Sequence, residues 1–312
     1  MAGNVTVVGY GAVGRETVKL LAARDGQVRV VQRSRPGDLP QAAEFVQADV
    51  LDPEATARPC AGSDAVICCL GFPYDSRVWQ KKWPKAMTNL LAACEKAKAR
   101  FIFADNLYMY GPQDRPLTED MPLTDFGRKP KLRADITRLW QEAHAQGRVE
   151  AVAVRGSDFY GPDVPTSLLS VYGVKNLLEG KAAIAPYPVI FAHDITYVPD
   201  FARALVTLLD AAPEDYGQAW HVPNAPTETY RALIERAAAL IGVEPQMRVI
   251  PEILLQVAGV FQRQTYELIE MRFQFDRPYL VDTRKFSRRF WSDATRFEDG
   301  LRATIASYRR EK

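Results

Sequence analysis

Gly9, Gly11 and Gly14 follow directly on the apolar, β-branched run Val5-Thr6-Val7-Val8, and Val13, Val18, Leu20 and Leu21 recur behind them at helical spacing. A strand that breaks at a glycine turn and re-emerges as a helix leaves few folds open. In that setting each glycine has its own task. Gly9 permits the tight turn, Gly11 lets a ligand come up against the backbone, and Gly14 lets the helix pack closely on the strand. The unpaired N–H groups at the helix start carry partial positive charge and suit a pyrophosphate. Gly9, Tyr10, Gly11, Ala12, Val13 and Gly14 are therefore candidate contacts for a dinucleotide.

Strand and helix patterns keep alternating beyond this turn. Strand-like runs stand at 28–32, 44–48, 65–70, 100–104 and 149–154, with helical patterns at 77–99 and 131–145 among them. Such alternation predicts an α/β protein with a Rossmann-type, doubly wound parallel sheet and right-handed crossovers. After about residue 160 the pattern loosens. Short β-like runs at 182–184, 189–190 and 219–222 mix with helices at 198–209, 228–241, 251–271 and 293–309. The expected organisation is a nucleotide-binding domain of residues 1–162 plus about 194–225. A smaller, interleaved C-terminal substrate lobe takes 163–193 and 226–312. Ligands of open α/β sheets bind outside the carboxyl ends of the strands, which is where the site is expected.

Charge and cysteine usage narrow the function classes. Forty basic residues against 38 acidic ones leave no field that would draw nucleic acid or an anionic membrane. Cys60, Cys68, Cys69 and Cys94 show neither zinc spacing nor a disulfide framework, so no metal is expected and a reducing cytoplasm fits. Cys68 and Cys69 lie inside an apolar run and should pack as small hydrophobes. No apolar run approaches the ~20 residues that span a bilayer, and Met1-Ala2-Gly3-Asn4 runs straight into the first strand, which predicts no signal peptide.

The end of the second strand speaks to the cofactor. An NAD binder usually places Asp or Glu there, on the ribose hydroxyls. This chain has Gln32-Arg33-Ser34-Arg35. Two guanidiniums and a hydroxyl would hold a 2′-phosphate through charge-assisted hydrogen bonds, so Arg33, Ser34 and Arg35 point to NADP(H) in preference to NAD(H). Asp49 and Val50, after the third strand, suit the adenine edge, and Leu70 and Gly71 suit the pyrophosphate and nicotinamide ribose.

Three further segments carry a resemblance. They are Asp105-Asn106-Leu107-Tyr108-Met109-Tyr110-Gly111-Pro112, Arg155-Gly156-Ser157-Asp158-Phe159-Tyr160-Gly161-Pro162, and the run Asp194 to Ala204 with sequence DITYVPDFARA. With the glycine turn they resemble the short-chain dehydrogenase/reductase superfamily, in its extended branch of nucleotide-sugar epimerases and dehydratases. The departures matter as much. Val8 stands at the first position of the branch's G-x-x-G-x-x-G motif, and Asn106 at its catalytic serine. The Y-x-x-x-K helix start, whose Tyr is the family's general acid/base, reads Lys129-Pro130-Lys131-Leu132-Arg133. Lys129 falls at the Tyr position and Arg133 at the Lys position. His193 falls where nucleotide-sugar enzymes carry an Arg for the substrate's phosphates. The chain reads as an atypical member.

Hydride transfer to a carbonyl or imine needs a donor near the developing negative charge. Asn106 and Tyr108, two apart at a strand end, are expected to share a face. Lys129 can act as a cationic acid or stabiliser, and Arg133 can orient or neutralise without shuttling protons. Each also has a bland reading: a packed Tyr108, a solvated Lys129. Asp158, Tyr160 and His193 are candidate substrate contacts, with Tyr160 equally plausible as scaffold. Phe191, Val257, Phe261 and Phe273 suggest either an apolar ligand or plain core. Trp79, Trp83 and Trp140 fit either core or a homodimer interface.

The leading expectation is a cytoplasmic NADP(H)-dependent oxidoreductase that reduces a small carbonyl, enone or imine. Two alternatives stay open: an NAD(P)-dependent epimerase, isomerase or lyase without net redox change, and a non-catalytic NADP(H)-sensing protein. The expected partner is a small-molecule substrate, with no nucleic acid and no membrane.

Overall fold

β-branched residues alternate or run together at the start of the chain, and they form its central sheet. The computed structural model describes residues 3–251, 253–256 and 263–310, and divides the chain into two units. The first comprises residues 1–109, 129–155 and 201–220; the second comprises 110–128, 156–200 and 221–312.

In the first unit β1 (Asn4–Val8) leads through the glycine turn into α1 (Ala12–Ala22). Next come β2 (Gln27–Gln32), β3 (Ala43–Gln47), α2 (Pro53–Cys60), β4 (Ala65–Cys68), α3 (Ser76–Ala97), β5 (Arg100–Asp105), α4 (Lys129–Ala145) and β6 (Ala151–Arg155). The sheet has seven strands in the order Ala219–His221, β6, β5, β4, β1, β2, β3. Pairings from β3 across to β6 are parallel, with Val7 opposite Val30 on one side and Ile67 on the other. The strand order reverses beside β1, so the connections after β1 and β4 leave towards opposite faces of the sheet, and a crevice opens above the glycine turn.

Burial explains the element choices. All four residues of β4 and all five of β6 are buried, as expected of strands covered on both faces. Asp75 caps α3 by accepting the Arg77 N–H at 2.7 Å, and Lys98 ends that helix in the left-handed conformation, φ 55°. Trp79, Trp83 and Trp140 are buried among Met87, Leu90, Phe101 and Phe103, so they are core of this unit. The four cysteines are unpaired, and burial pushes the Cys68 thiol up to about 12, which suits an inert packing role.

The second unit is held by the strand pair Asp158–Tyr160 and Ile195–Tyr197, which is parallel, and by the antiparallel pair Ala192–His193 and Glu228–Thr229. Its core gathers Leu169, Val174, Leu233, Ile234, Leu301 and Ile305 from the π-helical segment Leu168–Lys175 and the helices Tyr230–Ile241 and Phe297–Arg310. Residues 189–190, expected to be strand, are not: Pro186 and Pro188 interrupt the backbone, and Ile190 is 67% exposed. Within 251–271, expected as one helix, the described residues are helical at 253–256 and at Arg263–Glu270. Among the described residues no helix is long and apolar enough to cross a membrane.

Candidate functional site

The three glycines of the first turn do different work. Gly9 has φ +95°, and a Cβ there would meet the Cys69 carbonyl oxygen at 2.8 Å. A Cβ on Gly14 would stand 2.1 Å from the Gly9 oxygen. Gly11 is the exception: nothing lies within 4 Å of the position its Cβ would take, and it is the N-cap of α1 with no side chain capping the helix. No acid occupies the first turn of α1 either. Free backbone donors thus face an open cradle over Gly11, which fits a pyrophosphate. Tyr10 is buried, and its N–H donates to Gln32 Oε1 at 2.8 Å, so the end of β2 braces the turn.

Arg33, Ser34 and Arg35 are exposed beyond β2, and the Arg35 guanidinium lies 5.7 Å from the Phe45 ring centroid. Asp38 is also present, six residues past β2. It pairs with Arg15 Nε at 2.7 Å, and its carbonyl accepts from the Tyr10 hydroxyl at 3.3 Å. Burial, followed by the Asp38 charge, raises the pKa of that phenol. Asp49 is spent locally on the Leu51 N–H, at 3.0 Å. Val50 is buried, and its carbonyl accepts from Asn89 Nδ2 at 2.8 Å. Leu70 is half-buried and Gly71 exposed where the chain leaves β4.

At the end of β5 the expected strand alternation does not reach the candidates, because β5 stops at Asp105. Asn106 Oδ1 accepts the Tyr108 N–H at 3.0 Å, which starts a 3₁₀ turn at Tyr108–Tyr110. That bond commits the oxygen of Asn106 and leaves its NH₂ to donate. The Tyr108 ring stacks near-parallel to Trp79, centroids 6.4 Å apart. Tyr74 meets the same indole edge-on at 5.5 Å. Lys129 is fully buried, with Nζ 4.9 Å from the Tyr74 ring centroid, so the solvated reading of this lysine does not hold.

Arg133 lies one turn further along the same face of α4. Its guanidinium sits over Trp83 at 4.6 Å and Phe103 at 4.9 Å, and donates to Asp105 Oδ1. Asp105 also accepts from Arg155 Nε at 3.3 Å, and Arg155 Nη2 donates to Thr137 Oγ1 at 3.1 Å. Arg133 thus belongs to a buried ion cluster with Asp105 and Arg155. Sequence reasoning missed Asp105 as its counter-ion; the one available signal was two arginines in otherwise buried elements.

In the second unit His193 Nε2 lies 3.0 Å from Asp158 Oδ2. The imidazole is near-parallel to Phe275 at 4.9 Å and to Tyr279 at 5.1 Å, and Phe275 stacks in turn on Tyr187 at 4.2 Å. Tyr160 is elsewhere: only 1% exposed, it packs on Tyr197 and Phe297, and burial raises its hydroxyl pKa far above the ordinary range. It is a core residue. Phe191 lines a pocket with Asp158 and His193, whereas Phe273 is buried edge-on against Phe126. Val257 and Phe261 lie outside the described residues. His144 accepts the Ala151 N–H at 3.3 Å, and buried His221 bonds the Tyr110 hydroxyl at 2.8 Å.

Comparison with known proteins agrees with this geometry. A model described as the NAD dependent epimerase/dehydratase family matches residues 5–222. The chain belongs to that family. A trifunctional UDP-glucose 4,6-dehydratase/UDP-4-keto-6-deoxy-D-glucose 3,5-epimerase/UDP-4-keto-L-rhamnose-reductase from Arabidopsis thaliana is 24% identical over 233 residues. That alignment takes in 70% of this chain and 31% of the relative, so the chain spans under a third of its length. Among solved structures, UDP-glucuronic acid 4-epimerase from Bacillus cereus with NAD is similar over 99% of both chains, with a TM-score of 0.80 and 17% identity. DesIV, a dTDP-glucose 4,6-dehydratase from Streptomyces venezuelae solved with NAD, matches over 98% of this chain and 97% of its own, with a TM-score of 0.80 and 20% identity. At those identities the likeness establishes the fold.

Family membership places the chain among extended short-chain dehydrogenases/reductases that use a nicotinamide cofactor.

Proposed function

We propose that the chain is an NADP(H)-dependent enzyme that reduces a small carbonyl, enone or imine, with Lys129 in place of the family's catalytic tyrosine. The observation that carries this reading is Lys129 itself, buried at the start of α4 with its ammonium against Tyr74. An ammonium donates protons and cannot accept one. That favours delivering a proton to a developing alkoxide over removing one from an alcohol. The NH₂ of Asn106 and the hydroxyl of Tyr108 are further donors at the same strand end. Arg133 acts through Asp105, holding the strand end from which Asn106 and Tyr108 project. Gly11 and the start of α1 would hold the pyrophosphate, with Arg33, Ser34 and Arg35 at a 2′-phosphate. When bound, the nicotinamide supplies the hydride.

Family membership supports a second reading, an epimerase or dehydratase that restores its cofactor each cycle. One assay separates the two. The purified chain with NADPH is offered a panel of carbonyls, enones and imines, with absorbance at 340 nm and product followed together. The reductase reading expects NADPH loss matched to product, and loss of turnover in Lys129→Met with NADP⁺ binding retained. Product without net absorbance change would establish the second reading instead.

A further inference from the structure

A pocket of about 40 Å³ lies within the second unit, and its chemistry is one-sided. Leu168, Leu169, Phe191, Ile195, Leu233 and Phe275 make most of its wall. Its lining includes no lysine and no arginine. The Tyr230 hydroxyl at the wall is already spent on the Leu168 carbonyl, at 3.0 Å. What remains polar is the Asp158–His193 pair. Leu168 and Leu169 come from the π-helical segment, a departure from α-helix that frequently accompanies functional sites.

The pair has a defined sense. A carboxylate accepts and does not donate, so Nε2–H of His193 donates to Asp158 Oδ2. In the neutral imidazole this leaves Nδ1 as an acceptor. Among the described residues Nδ1 makes no hydrogen bond, and Phe275 holds the ring plane near-parallel to its own. A hydroxyl could therefore be received at Nδ1 while the rest of its molecule lies on leucine and phenylalanine. A phosphate would meet the Asp158 carboxylate with no lysine or arginine in the lining to offset it.

We propose that this pocket binds the apolar, hydroxyl-bearing end of an uncharged substrate, and that Asp158 excludes phosphorylated ligands from it. The proposal rests on the functional reading above in taking the ligand to be the enzyme's substrate. It departs from the sugar nucleotides of the relatives, whose diphosphates would face Asp158.

The test compares benzyl alcohol with benzyl phosphate, which share a ring and differ in charge. The chain has three histidines, so the imidazole ¹⁵N signals of the full-length protein are resolvable, and His193→Gln assigns the one that matters. Benzyl alcohol is expected to shift the His193 Nδ1 signal saturably, and benzyl phosphate to bind at least about tenfold more weakly. Asp158→Asn, which keeps the size and an acceptor for Nε2–H, should shrink that gap to under about threefold. Benzyl phosphate or UDP-glucose binding as tightly as benzyl alcohol would overturn the proposal, as would no shift with any of them. NADP⁺ titrated into the same samples tests the cofactor reading separately. Its failure to bind would overturn the cofactor reading while leaving the pocket result standing.

Discussion

Arg133 and Asp105 form an ion pair whose side chains are 2% and 0% exposed, with the guanidinium laid over the Trp83 ring. Arg155 donates to the other carboxylate oxygen, so one buried anion serves two buried cations. The three residues are not equivalent. Arg133→Ala still leaves Asp105 paired with Arg155 and should cost about 3 kcal/mol. Asp105→Asn leaves two guanidiniums facing a neutral amide and should cost about 5 kcal/mol or abolish folding. Arg133→Lys should restore little, since an ammonium cannot both stack on Trp83 and reach the carboxylate with a fork. Urea unfolding of the three variants checks the order, and Asp105→Asn proving the mildest would refute it.

The glycines of the first turn separate structure from ligand. Gly14→Ala forces a Cβ onto the Gly9 carbonyl at 2.1 Å and should destabilise by about 3 kcal/mol. Gly11→Ala meets nothing within 4 Å, so its stability should change by less than about 1 kcal/mol. Its NADP⁺ affinity should nevertheless fall at least about tenfold, because the new methyl occupies the pyrophosphate's approach. Thermal unfolding and calorimetric titration on the same two variants would show opposite patterns.

The parallel sheet and its glycine turn were legible because their signals are local: β-branched runs, then a turn, then helical spacing. The chemistry was less so because it is assembled over distance. Asp105, Arg133 and Arg155 are separated by 28 and 50 residues, and no local pattern ties an aspartate at a strand end to two arginines. Lys129 sits between charged neighbours and reads as solvated, yet it is fully buried with its ammonium over the Tyr74 ring. Asn106 is not on a strand face, because its side-chain oxygen takes the backbone N–H two residues on and so makes the turn that ends the strand. His193 and Asp158 were each singled out separately. Their pairing depends on two different strand pairs of the second unit.

The proposed preference for NADP(H) rests on Arg33 and Arg35, both exposed. The double variant Arg33→Ala/Arg35→Ala should keep its stability within about 0.5 kcal/mol. Its NADP⁺ affinity should drop at least about tenfold while NAD⁺ affinity holds, since only the 2′-phosphate loses charge-assisted partners. Calorimetry with both nucleotides is sufficient. Equal binding of NAD⁺ and NADP⁺ by the parent protein would show that these arginines serve the solvent alone.

Glu119 gives a pH dependence with a definite sign. Its Oε1 accepts the His221 N–H at 3.0 Å, but burial outweighs that bond and raises its pKa above the usual carboxylate range. The folded chain therefore binds the Glu119 proton more tightly than the unfolded chain does. The associated stability is present in full below the unfolded pKa and is lost as pH climbs through the raised folded value. Glu119→Gln keeps an acceptor for the His221 N–H and carries no charge at any pH. It should match the parent near pH 4 and become the more stable protein as pH approaches 7. Chemical denaturation across that interval reads the difference directly. A variant that instead loses stability relative to the parent as pH rises would mean that the ionised carboxylate is favoured in the fold, the reverse of what its burial dictates.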